Sequence, residues 1–302
     1  MNFFAMVILA ALTLSACKST EKKDFENNQP ATSHKIPTIK IENYVNRLFI
    51  DLVGRSALEG EITSEADTLR ENNLSADARI KLIRKLQTDK LPRIGDSSYW
   101  VAYHQRFFDI VKSRMVEGAA NGEFTRYVGL ANFSLRIARL EGDSIRVYQA
   151  LEQIARNQAV VDAHYTYRSD SMTINTLFAI LMDNNVYDNI NMNTFNFVNA
   201  SFDDLFFRFP SQAEFLTAFD IVEKNIPGSI LGNFASTKSE YCRVLTASDE
   251  FYEGLIRWTY LSLLGRECTS QEVANHFGSL YETKDLKLLQ EQIMKTDEYA
   301  DF

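Results

Sequence analysis

The sequence predicts an all-α fold in which helix–turn–helix repeats form an irregular helical bundle. The 302 residues include only 12 glycines and 5 prolines, fewer than the many turns of a β-sandwich or barrel require. Hydrophobic residues make up 45% of the chain and charged residues 24%, which is typical of a globular protein and not of a disordered one. In addition, one amphipathic segment with apolar residues at helical spacing occurs three times.

The chain begins with a short apolar segment. Residues 1–16 carry no charged side chain, and the stretch is too short to span a bilayer, which takes about 20 residues. We therefore expect an export signal. The following residues, Leu14-Ser15-Ala16-Cys17, resemble the lipobox of bacterial lipoproteins. That resemblance implies that residues 1–16 are a lipoprotein signal peptide and that Cys17 is acylated and anchors the protein to a membrane.

Residues 17–40 are mostly polar, and such a composition predicts a flexible tether. In some lipoproteins an aspartate after the acylated cysteine retains the protein in the inner membrane. Lys18 occupies that place here, so the resemblance favours the outer membrane, on its periplasmic face or at the cell surface.

The repeated segment occupies residues 44–55, 197–208 and 255–266. Each copy has the apolar spacing of an amphipathic helix and ends on an arginine, namely Arg55, Arg208 and Arg266. Gly54 and Gly265 precede two of these arginines, where a glycine commonly ends a helix. Phe207 replaces the glycine in the second copy, so we expect that helix to end differently or to continue.

A glutamate follows each arginine after six residues, at Glu61, Glu214 and Glu272. In the second and third copies it completes a capping box that starts another helix. An arginine that reaches this glutamate across a tight turn would form a structural corner. Because three equivalent copies are typical of a packing device, we interpret the six residues as structural and not catalytic.

A second signature occurs as Ser248-Asp249-Glu250-Phe251 and as Thr296-Asp297-Glu298-Tyr299, and each copy is typical of a helix start. Together the two signatures resemble the helical leucine-glycine-arginine type domains of unknown function in extracellular bacterial proteins and, distantly, the phycobilisome linker domains. The resemblance covers about 42–90 and 197–302. It implies a helical architecture and an extracytoplasmic location, and it provides no catalytic residues.

We expect two helical domains, 41–195 with the first repeat copy and 196–302 with the second and third. Residues 118–140 are the best candidate for a short β-hairpin. The asparagine-rich stretch 183–194 is typical of a structured loop. Further helices are expected over 76–88, 99–115, 145–158 and 173–182.

Catalytic and metal-binding motifs are scarce. Gly-Asp-Ser occurs at 95–97 and 142–144, but neither copy follows a strand pattern, and both are typical of helix caps. The four histidines lack metal-ligand spacing, and residues 183–194 lack the glycine and glutamate of an EF-hand loop. We expect no metal and no cofactor, and the net charge of −8 excludes binding to a nucleic-acid backbone.

Two observations leave alternatives open. Cys242 and Cys268 could form a disulfide in an oxidising compartment, but the sequence does not supply the geometry. Tyr165, Tyr167 and Tyr187 lie near predicted loops and could line a binding surface.

The sequence favours a non-catalytic binding or scaffold role in an outer-membrane or surface assembly, with an envelope protein as partner. One alternative is an envelope-polymer hydrolase that uses scattered carboxylates such as Asp109 or Glu123. Another is a carbohydrate-capturing surface lipoprotein that uses exposed aromatic side chains.

Overall fold

The structure is a computed structural model that describes residues 36–93 and 97–302. It confirms the all-α class, because the only strands among these residues are two of three residues each. The predicted signal peptide, Cys17 and most of the tether lie outside the described residues. Among the described helices, none has the length and apolar character needed to cross a membrane.

Fifteen α-helices follow one another along the described chain. They are α1 (Thr38–Leu48, continued by a π-helical turn, Phe49–Val53), α2 (Glu59–Glu71), α3 (Ala76–Thr88), α4 (Tyr99–Val116), α5 (Asn121–Glu141), α6 (Ser144–Arg168), α7 (Ile174–Met182), α8 (Asn185–Asn191), α9 (Thr194–Phe206), α10 (Gln212–Lys224), α11 (Lys238–Ala247), α12 (Asp249–Leu264), α13 (Ser270–Thr283), α14 (Leu286–Met294) and α15 (Asp297–Ala300).

The β-hairpin expected at 118–140 is wrong, since α5 occupies that stretch. Its glycines disfavour a helix locally, but α5 buries Phe124, Ala131 and Leu135 in an antiparallel pairing with α6, and this packing outweighs the propensity. The two strands lie elsewhere, at β1 (Gly228–Ile230) and β2 (Asn233–Ala235), and pair antiparallel.

The asparagine-rich stretch is also more regular than expected. It forms α8 and the start of α9. The Asn184 side chain accepts hydrogen bonds from the amides of Val186 and Tyr187, and Asn193 accepts one from the amide of Asn196. The asparagines therefore cap helices, a role their short amide side chains commonly take.

Residues Pro37–Phe302 form a single compact unit. The first helix packs against the end of the chain, where the Tyr44 hydroxyl donates to the Met294 carbonyl at 3.1 Å. The Arg47 guanidinium donates to the Tyr299 carbonyl at 2.7 Å. The segments 41–195 and 196–302 therefore contribute to one core.

Two helices of the repeat approach each other closely at Gly254. A Cβ atom at this position of α12 would lie 1.9 Å from the carbonyl oxygen of Leu205 on α9. Only a residue without a side chain permits this distance, so Gly254 fixes how the second and third repeat copies pack.

We predict that Gly254→Ala lowers the free energy of unfolding by about 2–3 kcal/mol, because the two backbones must separate. Gly278→Ala is the matched control. Gly278 lies within α13 with no atom near its would-be Cβ, so alanine should stabilise the helix by up to about 1 kcal/mol. Urea unfolding measures both changes, and equal stability of Gly254→Ala and the wild type would contradict the close approach.

Candidate functional site

The structure places the arginine and glutamate of every repeat copy in the same geometry. Each guanidinium donates two parallel hydrogen bonds to the carboxylate six residues later. The donor–acceptor distances are 2.8 and 2.9 Å for Arg55 and Glu61, 3.0 and 2.8 Å for Arg208 and Glu214, and 3.0 and 2.7 Å for Arg266 and Glu272.

The corner glutamate has a second role in each copy, because it accepts a hydrogen bond from the backbone amide of the residue that caps the next helix. The amides are those of Leu58, Ser211 and Thr269. The guanidinium also lies over an aromatic ring six residues earlier in the chain, that of Phe49, Phe202 or Tyr260. Each corner therefore joins the end of one helix to the start of the next.

The expectation that the helix before Phe207 ends differently from the other copies, or continues, is wrong. Helix α9 ends as the other copies do, with Phe207 in the left-handed conformation at φ 60° where they have glycine. This conformation costs a non-glycine residue about 1–2 kcal/mol. The Arg114 guanidinium lies 4.5 Å from the Phe207 ring, and this cation–π contact offsets part of the strain.

Sequence reasoning missed a second glutamate at two corners. Arg208 also donates to Glu250, and Arg266 also donates to Glu298, with Nη2–Oε2 distances of 2.8 Å in both pairs. Both glutamates belong to the Ser/Thr-Asp-Glu-aromatic signature. The sequence did contain a signal for these contacts. The signature occurs once after the second corner arginine and once after the third, and each time its third residue is a glutamate.

These contacts keep the corner glutamates ionised. Hydrogen bonds from the corner arginines lower the pKa of Glu214 and of Glu272 to about 2. At Glu61 burial raises the pKa, but hydrogen bonds from Arg55, a backbone amide and Tyr99 outweigh it and hold the pKa at about 2. The ordinary value is 4.5, so the stabilisation is present above that pH and is lost as the pH falls towards 2.

A large concave site among the described residues is an open groove of about 980 Å³ between α6, α7, α11, the start of α12 and the end of α13. An adjoining depression of about 740 Å³ leads towards β2 and shares Arg243, Ala247 and Tyr281 with it. The groove is lined by Ala155, Arg156, Ala159, Thr173, Asn175, Thr176, Ala179, Ile180, Asp183, Ser239, Arg243, Thr246, Ala247, Tyr252, Tyr281, Glu282 and Lys284.

Amide and phenol groups form a fixed wall of this groove. The Asn175 amide donates to the Tyr252 hydroxyl at 2.8 Å and to the Thr246 carbonyl. Its Oδ1 atom is buried and accepts no hydrogen bond from any described residue. The Tyr252 ring meets the exposed Tyr281 ring edge to face, at a centroid distance of 5.0 Å. The wall therefore presents an aromatic face that a ligand could use.

The charges of the groove are mixed. Arg156 forms an ion pair with Asp183 at 2.8 Å and is neutralised by it. Arg243, Glu282 and Lys284 are exposed, and within the described residues no ion pair involves them. The groove therefore offers both signs of charge to a ligand.

The remaining sequence candidates are distributed elsewhere. Cys242 and Cys268 are free, buried thiols, so the disulfide left open by the sequence is not formed. Tyr165 is exposed, whereas Tyr187 is buried and donates to Asp204 at 2.8 Å. Tyr167 stacks on the Phe107 ring. None of the three tyrosines lines the groove.

The motifs considered for catalysis have local roles where they are described. Asp143 caps α6 by accepting from the amides of Ile145 and Arg146, while the Gly-Asp pair at 95–96 lies outside the described residues. Glu123 caps α5, and Asp109 accepts from Gln105 on the same helix. Over residues 36–93 and 97–302, no three His, Cys, Asp or Glu side chains are grouped so that they could hold a metal ion.

Comparison with protein-family models, curated proteins and solved structures finds no match for this chain.

We predict that Glu214→Gln lowers the free energy of unfolding at pH 7 by about 1–2 kcal/mol, because neutral hydrogen bonds replace charge-assisted ones. The difference should shrink below about pH 4.5 and become small near pH 2, where about half of the wild-type carboxylates are themselves protonated.

Urea unfolding at several pH values measures this difference. Glu152→Gln, which changes an exposed glutamate of α6, is the control and should have little effect. A loss that is the same at pH 7 and pH 2.5 would show that ionisation of Glu214 is not its source.

Proposed function

We propose that this protein is a lipid-anchored lipoprotein of the bacterial envelope, held in the outer membrane through Cys17, with a non-catalytic binding role. The ligand we propose is an extended segment of an envelope partner protein. The observation that carries the proposal is the lining of the open groove, where hydroxyl, amide, aromatic and charged groups of both signs lie side by side.

A peptide segment fits this lining better than a purely apolar or purely anionic ligand. Its side chains can pair with Arg243 on one side and Glu282 on the other. The groove continues past Arg243 towards Phe234, an exposed aromatic residue of β2. Its length therefore suits an extended chain.

The anchor and the groove support each other in this proposal. A lipoprotein that carries two or more acyl chains stays at the membrane, whereas a single chain binds only marginally. A long polar tether would let the folded body reach partners within the envelope. A fixed groove on such a body is suited to holding one component of an assembly near the membrane.

We predict that Cys17→Ala abolishes incorporation of labelled palmitate and releases the protein from the membrane fraction. Cys268→Ala is the matched control, because it also removes a cysteine but leaves the lipobox intact, and it should keep both properties. Metabolic labelling followed by fractionation measures the result. Unchanged labelling of Cys17→Ala would contradict the lipoprotein proposal.

We predict that a photo-crosslinking amino acid in place of Thr176, an exposed residue of the groove, captures a discrete envelope protein in intact cells. The matched control places the same amino acid at Thr125, an exposed threonine of α5 outside the groove. Charge reversal by Arg243→Glu should reduce the Thr176 adduct several-fold, because it removes a cation from the groove. Equal adducts at both threonines, or none at either, would contradict binding in the groove.

A further inference from the structure

Two copies of the repeat place an aspartate at the same position, and each of these aspartates contacts a tyrosine of another helix. Asp51 occupies this position in the first copy and Asp204 in the second, on α9. The Tyr299 hydroxyl donates to Asp51 at 2.7 Å, and the Tyr187 hydroxyl donates to Asp204 at 2.8 Å. The third copy has the exposed Ser262 there. The pairing of carboxylate and phenol is therefore a feature of two copies and not of one helix.

The carboxylate of Asp204 is the less neutralised of the two. The side chain is half-buried, and among residues 36–93 and 97–302 the Tyr187 hydroxyl is the one donor to it and no ion pair involves it. At Asp51, in contrast, the Arg47 guanidinium lies 3.8 Å from the carboxylate. A half-buried carboxylate without an ion pair is costly to keep ionised.

Arg114 of α4 reaches the same place but binds the backbone. Its Nε atom donates at 3.0 Å to the Asp204 carbonyl oxygen. The guanidinium lies 4.5 Å from the centroid of the Phe207 ring and 5.7 Å from that of the Trp258 ring. These contacts hold the guanidinium in place, so its charge attracts the carboxylate without pairing with it.

The other charged groups that face Asp204 are negative. Asp203 lies beside it on α9, and Glu117 lies at the end of α4, and both carboxylates oppose its ionisation. Burial keeps the Tyr187 phenol neutral, because it raises the pKa of that phenol well above 10. The parts of α7 and α12 that adjoin this place contribute groups that do not titrate, namely Phe178, Phe251, Gly254, Leu255 and Trp258.

The balance of these effects favours the neutral carboxyl. Burial raises the pKa of Asp204 from 3.8 to about 6, and the Tyr187 hydrogen bond and the Arg114 charge offset only part of the increase. A carboxyl with a higher pKa in the folded chain than in the unfolded chain takes up a proton on folding. The stabilisation that results is complete below about pH 3.8 and is lost as the pH rises through about 6.

We propose that Asp204 forms an acid-sensitive joint between α4, α8 and α9, at which loss of its negative charge makes the folded state more stable in mildly acidic surroundings than at neutral pH. The joint connects α4, which precedes the second repeat copy, to the last turns of that copy. The corner glutamates lose their ionised form only below about pH 4.5, so the range from pH 7.5 to pH 4.5 reports on this joint and not on the corners. The proposal does not depend on the groove or on what binds there.

The test compares Asp204→Asn with the wild type by urea unfolding of the full chain at pH 7.5, 6.5, 5.5 and 4.5. Asparagine has the shape of the protonated side chain, so the variant should be more stable than the wild type at pH 7.5. The ratio of the two folding constants should fall at least about tenfold by pH 4.5. The ratio is the right readout because three partly buried histidines, whose pKa values burial lowers, change the total stability in the opposite direction. They are His104, His164 and His276.

Asp162→Asn is the matched control. Asp162 is an exposed aspartate of α6 that accepts a hydrogen bond from Gln158 at 3.0 Å, and its ratio to the wild type should not change with pH. A ratio for Asp204→Asn that is independent of pH would overturn the proposal, and so would a variant that is less stable than the wild type at pH 7.5.

Tyr187→Phe tests the joint from its other side. The Tyr187 hydroxyl stabilises the ionised form of Asp204, so its removal should lower the folding constant several-fold more at pH 7.5 than at pH 4.5. A tyrosine that only fills space would give the same loss at both pH values, and that result would contradict the proposal even where Asp204→Asn does not fold.

Discussion

The fold depends on one interaction, the pairing of a corner guanidinium with the glutamate six residues later. The planar guanidinium matches the carboxylate with two parallel hydrogen bonds, which fixes direction as well as distance. The same carboxylate caps the next helix, so the turn and the helix start are set together. At Arg208 and Arg266 the guanidinium also binds a glutamate at the start of a later helix, so each of these corners fixes an element beyond its own turn.

The groove depends on this rigid body. The groove lies where α7 and α11 meet the end of α13 at Tyr281. Its wall is therefore only as well defined as the corner at Arg266 that positions α13.

Local signals predicted much of the helical structure, and their failures have a common cause. Side-chain caps such as Ser211 and Thr269 act within four residues, so the sequence shows them directly. Helix α5 contains glycines that favour other structures, and its helicity comes from contact with α6, which no local pattern reveals. Phe207 similarly takes a conformation typical of glycine, next to the distant Arg114.

The sequence by itself determined the all-α class, the spacing of arginine and glutamate at three corners, and the helix starts at capping boxes such as those of Ser211 and Thr269, because each depends on residues close together in the chain. Only the tertiary structure decided that Glu250 and Glu298 complete two of the corners. The same holds for the approach of α12 to α9 at Gly254 and for the gathering of the groove's lining from five helices. These features join residues that are far apart in the sequence. Their geometry depends on how whole helices pack against one another, and the apolar pattern of a single helix does not determine that packing.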